Sequence, residues 1–205
     1  MHMLELFPTV VGVFECNTFD RDGPGWRSSV GEAMAERSSK LGTPQHQTDD
    51  RLHERAELAG MIAFFRECAA DYMEALSYRS TLELRLQCCW ASTLVQADGF
   101  QMHQHANSFL SGAFYLEVNA AAKPIQFRDP RPQARTLDIP VDEELRINRR
   151  YYEIDACNGQ LVLFPSWLEH RVRPSYSDAS RTSVSFNMTL HGEVGSTEEL
   201  TRATL

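Results

Sequence analysis

Two histidines one residue apart, His103 and His105, stand just ahead of the apolar run Gly112-Ala113-Phe114-Tyr115-Leu116. In an extended strand, residues i and i+2 point to the same face, so both imidazoles can address one metal ion. A third histidine, His170, follows a second apolar stretch, and Arg181 lies eleven residues beyond it. Imidazole suits iron, zinc, copper or nickel. Three protein ligands leave coordination positions open, which a catalytic metal needs and a structural one does not. A lone histidine is more often a packing or surface residue. The three together, with an arginine behind them, favour a metal centre that has a fixed cation beside it for an anionic ligand.

Each of these residues needs an element to position it. His170 closes the segment Gly159-Gln160-Leu161-Val162-Leu163-Phe164-Pro165-Ser166-Trp167-Leu168-Glu169-His170. Leu161 to Phe164 is apolar on both faces and reads as a strand buried between layers, and Pro165 cannot continue a ladder. The chain is expected to turn there, with Trp167, Phe114 and Phe164 as apolar walls of a pocket. Arg181 opens a clean alternation, with Thr182, Val184, Phe186, Met188 and Leu190 on one face and Ser183, Ser185, Asn187 and Thr189 on the other. Arg181 shares the seryl face. If that face turns inward, a buried guanidinium requires an anion and matches a carboxylate, with Asn187 lining the same pocket. If it turns outward, Arg181 makes only a surface ion pair. Asp98, beside Gly99, is a more distant candidate for a carboxylate near the site.

The remaining elements follow from periodicity. Leu4 to Cys16 reads as a strand interrupted by Pro8, and Asp20-Arg21-Asp22-Gly23-Pro24-Gly25 as a turn. Residues 26–40 read as a helix ending at Gly42-Thr43-Pro44, and 41–53 as a polar loop. Glu54 to Tyr78 carries Leu58, Met61, Ile62, Phe65, Cys68, Ala69, Tyr72, Met73 and Leu76 at three- and four-residue spacings, which predicts a helix with one broad apolar face packed on a sheet. From residue 82 the period becomes two, with Leu82, Leu84, Leu86, Cys88 and Trp90 alternating with Glu83, Arg85, Gln87 and Cys89. Further strands are expected at 100–105, 112–118, 125–127, 151–154, 160–164, 169–172 and 181–190. Many short strands separated by turn residues indicate an antiparallel sandwich or barrel. Residues 129–149, with Pro130, Pro132 and Pro140 among mixed charges, form either a lid or a solvated insertion. The tail after Gly192 is polar.

With 205 residues, 42% of them apolar and 23% charged, the chain is read as one domain with a sizeable core. Its parts are an N-terminal strand with supporting helices (1–80), a β-rich body (82–190) and a tail (192–205). A net charge of −8 argues against a generic nucleic-acid binder. No apolar run is long enough to span a bilayer, and the N-terminus lacks the features of a signal peptide, so a cytoplasmic location is expected. The five cysteines, Cys16, Cys68, Cys88, Cys89 and Cys157, include no CxxC pair, and read as small buried hydrophobes.

From about Trp90 to Asn187 the sequence resembles the iron(II)- and 2-oxoglutarate-dependent dioxygenases, in a branch found in bacteria and phages. The segments that carry the likeness are Gly99 to His105, Leu110 to Leu116, Ile125 to Arg131, Gly159 to His170 and Arg181 to Asn187. The resemblance implies an α+β fold: a double-stranded β-helix (jelly roll, cupin-like) with helices packed on one sheet. It implies iron(II) ligands at His103, His105 and His170, and 2-oxoglutarate as cosubstrate with its distal carboxylate on Arg181. By the same resemblance Ser183 assists and Tyr115 contacts the cosubstrate. The broad superfamily has His-x-Asp or His-x-Glu where this chain has His-x-His. A neutral imidazole in place of a carboxylate leaves the bound iron one unit more positive.

Two rival readings stay open in the sequence. One is a cupin-like three-histidine metalloprotein that does not use 2-oxoglutarate. Against it, Ala106 to Ser111 lacks the glutamate that follows the usual cupin histidine pair. The other is a non-catalytic jelly roll with incidental histidines. The substrate is expected to be a small molecule or a peptide.

Overall fold

The computed structural model describes residues 2, 4–176 and 180–205. Strands and helices follow in the order β1 (Gly12–Glu15), α1 (Phe19–Leu41), α2 (Ala59–Ala75), β2 (Glu83–Leu94), β3 (Phe100–His103), β4 (Leu110–Val118), β5 (Ile125–Arg128), β6 (Tyr151–Ile154), β7 (Gln160–Pro165), β8 (His170–Val172), β9 (Arg181–His191), β10 (Glu193–Val194) and β11 (Ala203–Thr204). Two antiparallel sheets form the body: a five-stranded sheet ordered β1-β7-β4-β9-β2 and a four-stranded sheet ordered β3-β8-β5-β6. This is a double-stranded β-helix, and the two helices cover the outer face of the larger sheet. β10 and β11 pair in a small hairpin within the polar tail.

The core is split by the larger sheet. On its helical side, Trp26, Val30, Met61, Phe65, Cys68 and Tyr72 pack against Phe114, Leu161, Leu163, Val184, Phe186 and Met188. Phe114 sits at the centre of this layer, in edge contact with Phe19, Trp26 and Phe65. It therefore walls the helical core and not the pocket, correcting the sequence expectation. Because strands buried on both faces show no polar alternation, the sequence could not say which face Phe114 takes. Between the two sheets lies a smaller apolar cluster of Tyr115, Ile125, Phe127, Val162, Phe164 and Leu168. The close sheet–helix packing explains Gly112, where a Cβ would stand 2.3 Å from Phe186 Cζ and 2.9 Å from Leu163 Cδ2.

Several elements differ from expectation for identifiable reasons. The helix expected from residue 26 begins at Phe19 and runs through the Gly23-Pro24-Gly25 cluster read as a turn. Burial of Phe19, Gly23 and Trp26 overrides the local propensity. Gly23 lies so close to the Phe19 ring that a Cβ would fall 2.9 Å from it. The N-terminal strand shrinks to Gly12–Glu15. The second helix is preceded by short 3-10 turns at Leu52–Glu54 and Ala56–Leu58, and its apolar face is buried as expected. The polar segment 46–50 covers the free edge of β2, with Thr93 and Cys89 N–H donating to the His46 and Asp50 carbonyls.

The strand β2 carries a bulge between Leu86 and Cys88 against β9. Before it, Leu84 and Leu86 pack towards the helices; after it, Cys89 and Ala91 do. The extra residue inverts the phase, so Cys88, Trp90 and Ser92 turn to the inter-sheet side.

Candidate metal centre

The three histidines converge at one end of the inter-sheet space. His103 and His170 are direct partners in the β3–β8 pairing. β3 ends at His103, so His105 lies just beyond the strand and not on it as expected. Its position is set instead by its N–H, which donates to the Ser166 carbonyl at 2.9 Å. Ser166 is pinned in turn, its hydroxyl 2.8 Å from that of Ser111, which donates to Asn187 Oδ1 at 2.8 Å. Asn187 Nδ2 faces Cys88 Sγ at 3.5 Å. The sequence does not disclose this buried polar chain, because short hydroxyl side chains in strands look like filler.

The ligating atoms of His103, His105 and His170 lie within 4.8 Å of one another. Ring centroids are 4.3 Å apart for His103–His170, 5.1 Å for His105–His170 and 5.2 Å for His103–His105. Nitrogens sharing an ion at about 2.1 Å each can stand at most about 4.2 Å apart, so small ring rotations suffice. His103 Nδ1 meets the Gln101 carbonyl at 2.7 Å, and His170 Nδ1 meets that of Leu168 at 2.9 Å. A carbonyl only accepts, so each Nδ1 carries the proton and each Nε2 keeps its lone pair for a metal. Burial pushes the His170 imidazole down to about 3 and that of His105 down to about 4. Both are therefore neutral near pH 7, the state a metal ligand needs.

The surroundings are aromatic and constrained. Phe164 lies 4.6 Å from the His170 ring and Trp90 5.9 Å from that of His105. Trp167 is half exposed at the rim. Glu169, next to His170, is held by the Arg128 guanidinium, with Nε–Oε2 at 2.8 Å. Asp98 accepts from the Val95 N–H in the turn before Gly99, a local role. Gly99 itself is required by close approach: a Cβ would stand 2.6 Å from the Val172 carbonyl oxygen.

Arg181 faces inward. It is 4% exposed, its Nη1 donates to the Lys123 carbonyl at 3.1 Å, and its guanidinium carbon sits 5.0 Å from the Tyr115 ring centre. Arg181 Nε and the Tyr115 hydroxyl are both buried with no hydrogen-bond partner among the described residues. Burial holds the Arg181 pKa below its ordinary value and raises that of Tyr115. Two unpartnered donors, one on a desolvated cation, have the chemistry to bind a carboxylate. Ser183 is buried on the same face, opposite Tyr115 in the β4–β9 pairing. Asn187 lies further along that face, with both ends of its amide already engaged by Ser111 and Cys88.

Residues 88–187, which include every histidine and arginine of this site, match the family model described as "Putative 2OG-Fe(II) oxygenase". No curated protein sequence matches the chain. Solved structures share its fold. HygX from Streptomyces hygroscopicus, with nickel and 2-oxoglutarate bound, superposes with a TM-score of 0.59 at 12% identity, covering 88% of this chain and 82% of that one. The non-heme carbocyclase SnoK from nogalamycin biosynthesis gives 0.62 at 11%, with coverage of 88% and 79%. A Pseudomonas putida prolyl-4-hydroxylase gives 0.56 at 12%, with coverage of 87% and 92%. No helix among the described residues is long and apolar enough to cross a membrane.

Proposed function

We propose that the chain, whose residues 88–187 match the family model for 2OG-Fe(II) oxygenases, is such an oxygenase, in which His103, His105 and His170 hold the iron while Arg181 and Tyr115 hold the distal carboxylate of 2-oxoglutarate. The observation that carries this assignment is the convergence of the three imidazoles, two of them with Nδ1 tied to backbone carbonyls, in the same inter-sheet space that takes the buried Arg181, whose guanidinium has no ion pair among the described residues. Bound iron supplies oxygen activation, coupled to decarboxylation of 2-oxoglutarate to succinate and carbon dioxide and to oxidation of the prime substrate.

The chain's own residues bind and orient. Arg181 fixes the cosubstrate by its far end, so that its oxo-acid end is presented to the histidines. Tyr115 donates to the same carboxylate and stacks its ring on the guanidinium. Phe164 and Trp90 exclude water from the imidazoles. The three neutral ligands add no negative charge, so the anionic cosubstrate is the main local counterweight to the metal. The buried Arg181 separates this reading from a cupin-like three-histidine site, which has no use for a dicarboxylate anchor.

The prime substrate is proposed to be a small molecule or a peptide, entering from the side of His103, the most open of the three ligands. Structures of the same fold include a carbocyclase from nogalamycin biosynthesis and a prolyl-4-hydroxylase, which supports either class. Incubation of the iron(II) protein with 2-oxoglutarate and oxygen tests the reading. Slow succinate formation is expected from the wild type, and none from His170→Ala. Equal rates in the two would remove the histidines from the chemistry.

A further inference from the structure

Ser92 was not among the residues that motif reading singled out. It lies on β2, is 4% exposed, and its hydroxyl is buried without a hydrogen-bond partner among the described residues. It pairs directly with Ser183 on β9, which pairs directly with Tyr115 on β4. Residues paired across antiparallel strands project to the same face. Ser92, Ser183 and Tyr115 therefore form one row across three adjacent strands, on the inter-sheet side where Tyr115 packs with Phe127 and Phe164. Their sequence neighbours Ala91, Val184 and Phe114 take the helical side. Arg181 stands two residues along β9, with its guanidinium over Tyr115.

Three buried donor groups without partners among the described residues thus project from one face, on this row or two residues from it: Ser92 Oγ, Tyr115 OH and Arg181 Nε. An unmade buried hydrogen bond costs stability, and three such donors on one face call for an acceptor. An ionised carboxylate accepts at about four lone-pair sites and donates none. The bulge in β2 is what brings Ser92 here. Without that phase change, Ser92 would follow Leu84 and Leu86 to the helical side.

We propose that Ser92 is a positioning residue for the cosubstrate, donating its hydroxyl hydrogen to the distal carboxylate of 2-oxoglutarate beside Arg181 and Tyr115. It thereby favours a dicarboxylate over a shorter oxo acid. The inference rests on the reading of Arg181 given above.

Titration of full-length protein loaded with manganese(II) tests it, using 2-oxoglutarate and 2-oxobutyrate, which keeps the oxo-acid end and lacks the distal carboxylate. Ser92→Ala is expected to weaken 2-oxoglutarate about tenfold, or about 1.4 kcal/mol, and to leave 2-oxobutyrate unchanged. Its melting temperature without ligand should be equal or higher, since an unsatisfied hydroxyl is removed. Unchanged 2-oxoglutarate affinity, or equal weakening of both acids, overturns the proposal. If 2-oxobutyrate binds neither protein, the 2-oxoglutarate change decides alone. Arg181→Met separates the two levels. Weakening by Arg181→Met but not by Ser92→Ala sinks Ser92 only. Wild-type protein that fails to bind 2-oxoglutarate, or Arg181→Met that binds it normally, sinks both.

Discussion

Arg181→Met removes the guanidinium and keeps an unbranched side chain of similar reach over the Tyr115 ring. In the protein alone, Arg181 has one hydrogen bond, to the Lys123 carbonyl, and no ion pair among the described residues. Its charge is therefore available for a ligand. Truncating one partner of a buried, hydrogen-bonded charge pair costs about 2–5 kcal/mol. At 1.4 kcal/mol per decade, this raises the 2-oxoglutarate Kd between about 30-fold and several thousand-fold. The upper half of that range is expected, because no anion among the described residues shares the cation. Stability without ligand should change little. Relief of an unpaired buried charge opposes the loss of one hydrogen bond from the charged guanidinium, itself worth about 1.5–3 kcal/mol, so the variant should lie close to the wild type. Ligand at 100 times the wild-type Kd stabilises that protein by about 2.7 kcal/mol. A variant with a hundredfold weaker site gains only about 0.4 kcal/mol under the same conditions. Calorimetric titration of manganese(II)-loaded protein, with thermal unfolding with and without 2-oxoglutarate, measures both quantities. A Kd within about threefold of wild type would refute the reasoning, being far below the expected loss. So would destabilisation by several kcal/mol without ligand, because it would mean that the guanidinium already has an anionic partner within the protein.

His103→Ala and His170→Ala each remove one of the three proposed ligands, and elemental analysis should show metal content falling from about one ion per chain to a small fraction; full occupancy in either would contradict the assignment. Gly112→Ala forces a Cβ into Phe186 and Leu163, and overpacking of this kind costs about 1–3 kcal/mol, read as a melting temperature lower by several degrees. Acid should destabilise the metal-free protein from about pH 6.5 downwards. The folded-state pKa values of His105 and His170, about 4 and about 3, lie below the ordinary value of 6.5, so the unfolded chain binds protons that the folded one does not. The stability from these neutral imidazoles is full above pH 6.5 and is lost as pH falls towards 4, by up to about 1.4 kcal/mol per pH unit for each ring. Denaturant melts across this window should show the slope, and His170→Phe should reduce it.

Much of the site is legible in the sequence because its chemistry depends on residue types that are costly elsewhere. The spacing of His103, His105 and His170 survives in the structure, although His105 lies past its strand and is fixed by the Ser166 carbonyl. The orientation of Arg181 could not be read. β9 is buried on both faces, by helices on one side and the second sheet on the other, so serine alternation does not mark solvent. The inward row becomes visible only when Val184, Phe186 and Met188 are seen against the helices. Ser92 was hidden for a different reason: the bulge before Cys88 inverts the alternation that assigned β2 its faces. Gly23-Pro24-Gly25 predicts a turn where the first helix continues, because burial of Phe19 and Trp26 outweighs local turn chemistry. The helix Ala59–Ala75 buries the long regular apolar stripe that its spacing predicts.

Anaerobic titration of the iron(II)-loaded protein with 2-oxoglutarate tests the whole arrangement at once. The wild type should develop a weak visible charge-transfer absorption that saturates near one equivalent, His170→Ala should develop none, and Arg181→Met should need far more ligand to reach the same band. Folded, iron-loaded wild-type protein that stays colourless at saturating 2-oxoglutarate would contradict a shared site for the metal and the cosubstrate.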